Sequence, residues 1–255
     1  MICAMQLITK WKCFVAEKSQ KWEEIVPKAL LFDLDGTLLD SVDDLTVAIN
    51  NTLASHSLPS ISREDVTVFI GKGARVLVER ALTKVCPKIP EQTDIEEIYA
   101  QYLKEMQRAE GTRTKQLPGV PEALRELKDH GYKMAIVTNK PAAIARRLAA
   151  QFNLICYFDT IVGAGDLPAV KPDPIMLIEA AHRMGMSIRD CAMIGDSMND
   201  SLAAKNAGIP AFLLKTGYNE GVGIDLWAQE HAPNDLVFGS MTELSRFLLE
   251  NERRI

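Results

Sequence analysis

Asp33 and Asp35 stand two residues apart at the end of the apolar run "ALLF", and Gly36 and Thr37 follow at once. On an extended chain, residues two apart face the same side, so the two carboxylates converge. Convergent carboxylates repel, and a hard divalent cation with oxygen ligands, Mg²⁺, relieves that repulsion most simply. Gly36 permits a tight turn, and the Thr37 hydroxyl adds a polar contact close by. An Asp-rich turn explains any one of these residues, but not the buried ramp leading into them.

Other residues suited to chemistry also follow apolar runs. Thr138 and Asn139 close "MAIVTN", either as contacts for a bound anion or as caps of the next helix. Lys171 lies in "AVKPDP", stiffened by Pro172 and Pro174; it suits neutralising a phosphate, the alternative being a solvated lysine. "MIGDSMND" supplies Asp196, placed to complete a metal shell, and Asp200 one helical turn later. Asp200 either supports that shell or favours a helix dipole. In "GKGAR", Lys72 and Arg75 are candidate partners of a substrate carboxylate, or solvated charges on a helix whose apolar side is Val76, Leu77, Ala81 and Leu82. Tyr218 and Asn219 read equally as a substrate-side loop or a turn.

The elements that must position these residues are legible as a pattern. Short apolar runs at 28–33, 132–139, 157–166, 191–196 and 209–217 alternate with helical stretches. Continuous apolar strands alternating with helices imply a parallel sheet covered on both faces, a doubly wound α/β domain. Ligands of such sheets bind beyond the carboxyl ends of the strands. The first two runs are too far apart for one crossover helix, and residues 43–114 read as helical throughout. The expectation is a catalytic core of residues 28–42 and 115–255 with an inserted helical cap at 43–114, joined near 40–44 and 110–116. Ser62 and Asp65 form an approximate capping box, and Thr93 starts a long amphipathic helix. Pro121 and Pro141 suit first helical turns, and Gly131 a helix end. Residues 1–27 read as a poorly ordered extension, the alternative being a targeting or docking segment.

Bulk properties narrow the function further. The 255 residues are 47% hydrophobic and 25% charged, with 34 acidic against 29 basic residues and a net charge of −5. This balance gives no electrostatic footprint for nucleic acid or an anionic membrane. Five scattered cysteines without a CxxC pair point to thiols in a reducing cytoplasm, and four isolated histidines argue against zinc.

In this order, "DLDGT", "VTN", "KPDP" and "GDSMND" resemble the four motifs of the haloacid dehalogenase (HAD) superfamily, with the insertion in the place of its helical cap. The resemblance implies Asp33 as nucleophile, Asp35 as general acid and then base, and Thr138 and Lys171 on the phosphoryl oxygens. It implies Mg²⁺ held by Asp33, Asp196 and the Asp35 main-chain carbonyl, with Asp200 in support. Retention of Asp35 favours phosphate-ester hydrolysis, because a departing halide needs no proton. Within the superfamily, "FDLDGTLLDSVDDL", "FIGKGARVLVERAL", "LPGVPEAL" and "KTGYNEG" look like the bacterial phosphoglycolate phosphatases. The chain departs from them at Val170, where a second lysine often precedes the one matched by Lys171. The resemblance thus implies a small phosphorylated metabolite as partner, 2-phosphoglycolate first, with a sugar phosphate, nucleotide or pyrophosphate as alternatives and a silent binding module as the remote one. A monomer or weak homodimer is expected.

Overall fold

The computed structural model describes residues 27–86 and 94–252. Strand β1 (Ala29–Phe32) lies mid-sheet because it is apolar on both sides. Leu30 and Phe32 enter one hydrophobic cluster, and Ala29 and Leu31 the other. A short strand β2 (Leu39–Asp40) follows, then helices α1 (Val42–Ser55), α2 (Arg63–Phe69), α3 (Ala74–Val85) and α4 (Ile95–Ala109) before the short strand β3 (Lys115–Gln116). The core resumes with α5 (Val120–Asp129), β4 (Lys133–Pro141), α6 (Ala142–Gln151), β5 (Thr160–Ala164), α7 (Ile175–Arg183), β6 (Cys191–Gly195) and α8 (Met198–Ala207). It ends with β7 (Ala211–Leu214), α9 (Ile224–His231), β8 (Leu236–Phe238) and α10 (Met241–Glu252).

The six long strands form one parallel sheet in the order β5-β4-β1-β6-β7-β8. The doubly wound α/β architecture expected from the pattern is present. Helices α5, α6 and α10 cover one face through Leu124, Leu148 and Leu244, while α7, α8 and α9 cover the other through Leu177, Ala204 and Ala228. No helix among the described residues is long and apolar enough to cross a membrane.

The helical segment leaves and rejoins the core through β2 and β3, which pair antiparallel, Leu39 with Gln116 and Asp40 with Lys115. Asp44, on the outgoing side, is buried and accepts from Thr112 Oγ1, Arg113 N, Thr114 N and Thr114 Oγ1 on the returning side, at 2.6–3.1 Å. That clasp uses both carboxylate oxygens and fixes where the insert departs from the sheet. The Ser62–Asp65 capping box is present in reciprocal form.

Three details differ from the sequence expectation. Thr93 lies outside the described residues, and α4 is capped by Asp94, which accepts from Glu96 N and Glu97 N. Pro141 ends β4 and stands at the N-cap of α6, not inside its first turn, because β4 runs on past Asn139 with a register shift against β5. The third strand starts at Thr160, since Tyr157 belongs to the preceding turn and Phe158 lies between turn and strand. The expected extension at 1–27 lies, but for Pro27, outside the described residues.

Candidate active site

Register brings the site together. Phe32 pairs with Ile136 on one side and Ile194 on the other, so Asp33, Thr138 and Asp196 emerge one or two residues later at the same carboxyl edge. They line a cavity with Asp35, Asn139, Lys140 and Ser197. The insert closes it with Leu45, Ile70, Gly71, Gly73, Ala74, Leu77, Tyr102 and Met106.

Lys171 is the electrostatic centre. The residue is 2% exposed, and its ammonium lies 3.0 Å from Asp33 Oδ1 and 2.6 Å from Asp200 Oδ1. Burial works against that charge, but Asp200 and Asp33 outweigh it and hold the lysine pKa above its ordinary value. Asp33 Oδ1 also accepts from Leu34 N at 2.7 Å, whereas Oδ2 takes no hydrogen bond among the described residues. Burial pushes the Asp33 carboxyl up to about 6 against the pull of Lys171.

Asp196 is held by two donors, Thr37 Oγ1 at 2.6 Å and Tyr218 N at 2.7 Å, one to each oxygen. Its pKa is driven well above the carboxylate range by burial and then by repulsion from Asp200 and Asp33. Gly36, at φ +85°, is required here, since a Cβ would sit 2.4 Å from Asp196 Oδ2. One oxygen each from Asp33, Asp196 and Asp200 lies within 4.8 Å of the others. Asp200 is nevertheless spent: Oδ1 accepts from Lys171, and Oδ2 accepts from Asp196 N, Ser197 N and Ser197 Oγ. Asp33 and Asp196 retain lone pairs and too little positive charge, which fits a hard cation with oxygen ligands; Asp200 fits the supporting place.

The remaining candidates are placed as follows. Asp35 does not join that cluster; Lys140 Nζ lies 3.0 Å from both its oxygens and Ser41 Oγ donates at 2.5 Å. The two motif aspartates thus have separate lysine counter-charges instead of one shared cation. Thr138 lines the cavity, and its Oγ1 accepts from Lys140 N, leaving its own proton to donate. Asn139 also lines it, but its amide is committed: Nδ2 donates to Gly71 O and Lys171 O, and Oδ1 accepts from Lys171 N. Thr37 acts on Asp196 and is not part of the cavity wall. Lys72 pairs with Glu220 at 2.8 Å, and exposed Arg75 pairs with Glu79 and Glu96; neither lines the cavity. Tyr218 does line it, and Asn219 instead caps α8 by accepting from Met198 N.

Sequence reading missed Lys140, Ser41 and Tyr102. Lys140 directly follows the "VTN" stretch, the one signal that pointed to it.

A parallel sheet carrying an acidic cluster and a buried lysine at its carboxyl edge defines a class, and the family comparison agrees. Residues 30–214 match the model of the haloacid dehalogenase-like hydrolases, and the chain belongs to that family. It is an enzyme of the phosphatase kind, similar to proteins named for one substrate. Phosphoglycolate phosphatase 1 of Pseudomonas aeruginosa is 39% identical over 219 residues, 86% of this chain and 79% of that one. Phosphoglycolate phosphatase of Vibrio parahaemolyticus is 37% identical over 222 residues, 85% of this chain and 94% of that one. The crystal structure of a predicted phosphoglycolate phosphatase from Haemophilus somnus 129pt superposes with a TM-score of 0.78 at 31% identity, covering 86% of this chain and 96% of that one.

Proposed function

We propose that the protein hydrolyses 2-phosphoglycolate to glycolate and phosphate in two displacements at Asp33. The observation that carries this reading is the Asp33 carboxylate itself: one oxygen anchored by Lys171 and Leu34 N, the other unengaged at the cavity wall. Asp33 attacks phosphorus, and Asp35 gives its proton to the departing alkoxide. Asp35 then takes a proton from the water that cleaves the aspartyl-phosphate. Lys171 and the Thr138 hydroxyl steady the phosphoryl oxygens, the positioning and charge neutralisation that phosphoryl transfer demands. Asp33 and Asp196, with the Asp35 main-chain carbonyl, would hold Mg²⁺, which when bound supplies further neutralisation of phosphoryl charge. The helical segment 43–114 acts as the cap, since only it reaches the leaving group once the phosphoryl end is fixed. Relatives named phosphoglycolate phosphatase support the choice of substrate.

Comparison of kcat/KM over phosphoglycolate, sugar phosphates, nucleotides and pyrophosphate tests the substrate, with phosphoglycolate expected first. A preference for any other ester by tenfold would sink the reading. Because Arg75 is exposed and paired with glutamates, Arg75→Ala is expected to change KM for phosphoglycolate by less than about twofold. A tenfold rise would return Arg75 to the site.

Metal binding has a signature independent of turnover. Asp33 and Asp196 both have raised carboxyl pKa values. The metal-free folded state therefore holds protons that the unfolded chain has already lost, and its stability falls as pH rises from 5 to 7. Mg²⁺ at ten times its Kd is expected to raise the melting temperature by about 2–4 °C at pH 7, and less at pH 5, where protons compete. EDTA should abolish both this shift and turnover. An Mg²⁺ shift that is equal at both pH values, or absent, overturns the assignment.

A further inference from the structure

The proposed substrate carries two anionic ends, and the residues around Asp33 account for one. The cap's contribution to the cavity is largely apolar, through Leu45, Ile70, Leu77 and Met106, and two polar features interrupt it. The first is Tyr102, wholly buried on α4, whose hydroxyl has no hydrogen-bond partner. Buried phenols nearly always find a partner, and an unmade hydrogen bond there is costly. Burial, with the nearby Asp35 carboxylate, keeps its pKa far above neutrality, so it remains a proton donor.

The second is the first turn of α3. This twelve-residue helix has Gly73 at its N-cap, no side-chain cap and no acidic residue in its first turn. The amides of Ala74, Arg75 and Val76 find no acceptor among the described residues. Gly73 and Ala74 both belong to the cavity wall. At φ +90°, with Asn139 O 3.2 Å from where a Cβ would stand, Gly73 is the residue that lets this turn approach so closely. The neighbouring cations are engaged elsewhere: Lys72 on Glu220, Arg75 on Glu79 and Glu96, Lys140 on Asp35.

Resting on the substrate reading above, we infer that the Tyr102 hydroxyl and the free amides of the α3 first turn form the subsite for the carboxylate of the leaving group. The subsite selects esters with an anionic tail through fixed donors and the helix dipole, without a dedicated cation.

The test compares 2-phosphoglycolate with 2-hydroxyethyl phosphate, which has the same length but a neutral tail. The quantity read is the ratio of their kcat/KM values. Wild-type protein should favour phosphoglycolate. Tyr102→Phe should lower that ratio about tenfold, the loss of a hydrogen bond to a charged group. Ala74→Pro removes one amide while keeping the helix, since proline is suited to a first helical position and Gly73 already has an extended ψ of 169°; it should lower the ratio as well. Equal wild-type rates on both esters overturn the phosphoglycolate reading. A wild-type preference that both variants retain overturns the subsite alone. Tyr102→Phe keeps the ring and removes an unpartnered hydroxyl, so its melting temperature should not fall. A purely structural Tyr102 would shift both esters in parallel and leave the ratio intact, which also rejects the subsite.

Discussion

Asp33→Asn is expected to lower turnover of phosphoglycolate by at least about 10³-fold, because an amide cannot open the covalent route. The variant should stay folded. Lys171 keeps its 2.6 Å contact with Asp200, and the exchange removes a carboxylate whose burial already pushes its pKa to about 6. Folding therefore loses one ionic contact and is relieved of one crowded charge, and in EDTA the melting temperature should remain within a few degrees of wild type. Two measurements check the claim together: steady-state phosphate release, and phosphate bound covalently to protein quenched in acid during turnover. Wild type should carry the label and the variant should not. Turnover within tenfold of wild type, in material free of contaminating phosphatase, would remove Asp33 from the nucleophile's place.

The legible part of this protein is the part written locally. The place of Asp33, Asp196 and Thr138 at one carboxyl edge could be read because each follows an apolar run, and a parallel sheet delivers strand ends to one edge. The helical segment was legible because its apolar period is helical and its two ends, near residues 40 and 115, meet in one small antiparallel pair. What escaped reading depended on contacts between distant stretches. Lys140 looked like any lysine after a strand; its role follows from an irregular β4 end that brings it against Asp35. Tyr102 sat on the apolar face of an amphipathic helix, and nothing local separates a core phenol from one at a cavity wall. For Lys72 and Arg75 the sequence offered substrate contacts, whereas neither lines the cavity. Their charges are taken by Glu220 and by Glu79 with Glu96, and only spatial proximity reveals those pairings.

Lys171 carries the second large effect, because three buried carboxylates depend on one cation. Asp33, Asp196 and Asp200 are each no more than 8% exposed, and Lys171 touches two of them. Lys171→Met keeps the bulk and deletes the charge. Breaking a buried pair in this way is expected to cost about 3–5 kcal/mol, read as a lower urea midpoint. Lys171 also holds the Asp33 pKa down, so without it a larger share of Asp33 is protonated at pH 7 and turnover falls further. The sign follows from proton linkage: the variant's folded state takes up protons between pH 7 and 5 that the unfolded chain does not, so it should regain stability on acidification more steeply than wild type. Adding Asp200→Asn separates stability from chemistry. The oxygen of the introduced amide can still accept from Asp196 N, Ser197 N and Ser197 Oγ, the three donors that Asp200 Oδ2 serves, and the amide nitrogen can face the vacated lysine position. The double variant should thus recover much of the lost stability while turnover stays at least about 10²-fold below wild type. If activity returned in step with the urea midpoint, Lys171 would be a structural counter-ion for Asp200, with no part in holding the phosphoryl group.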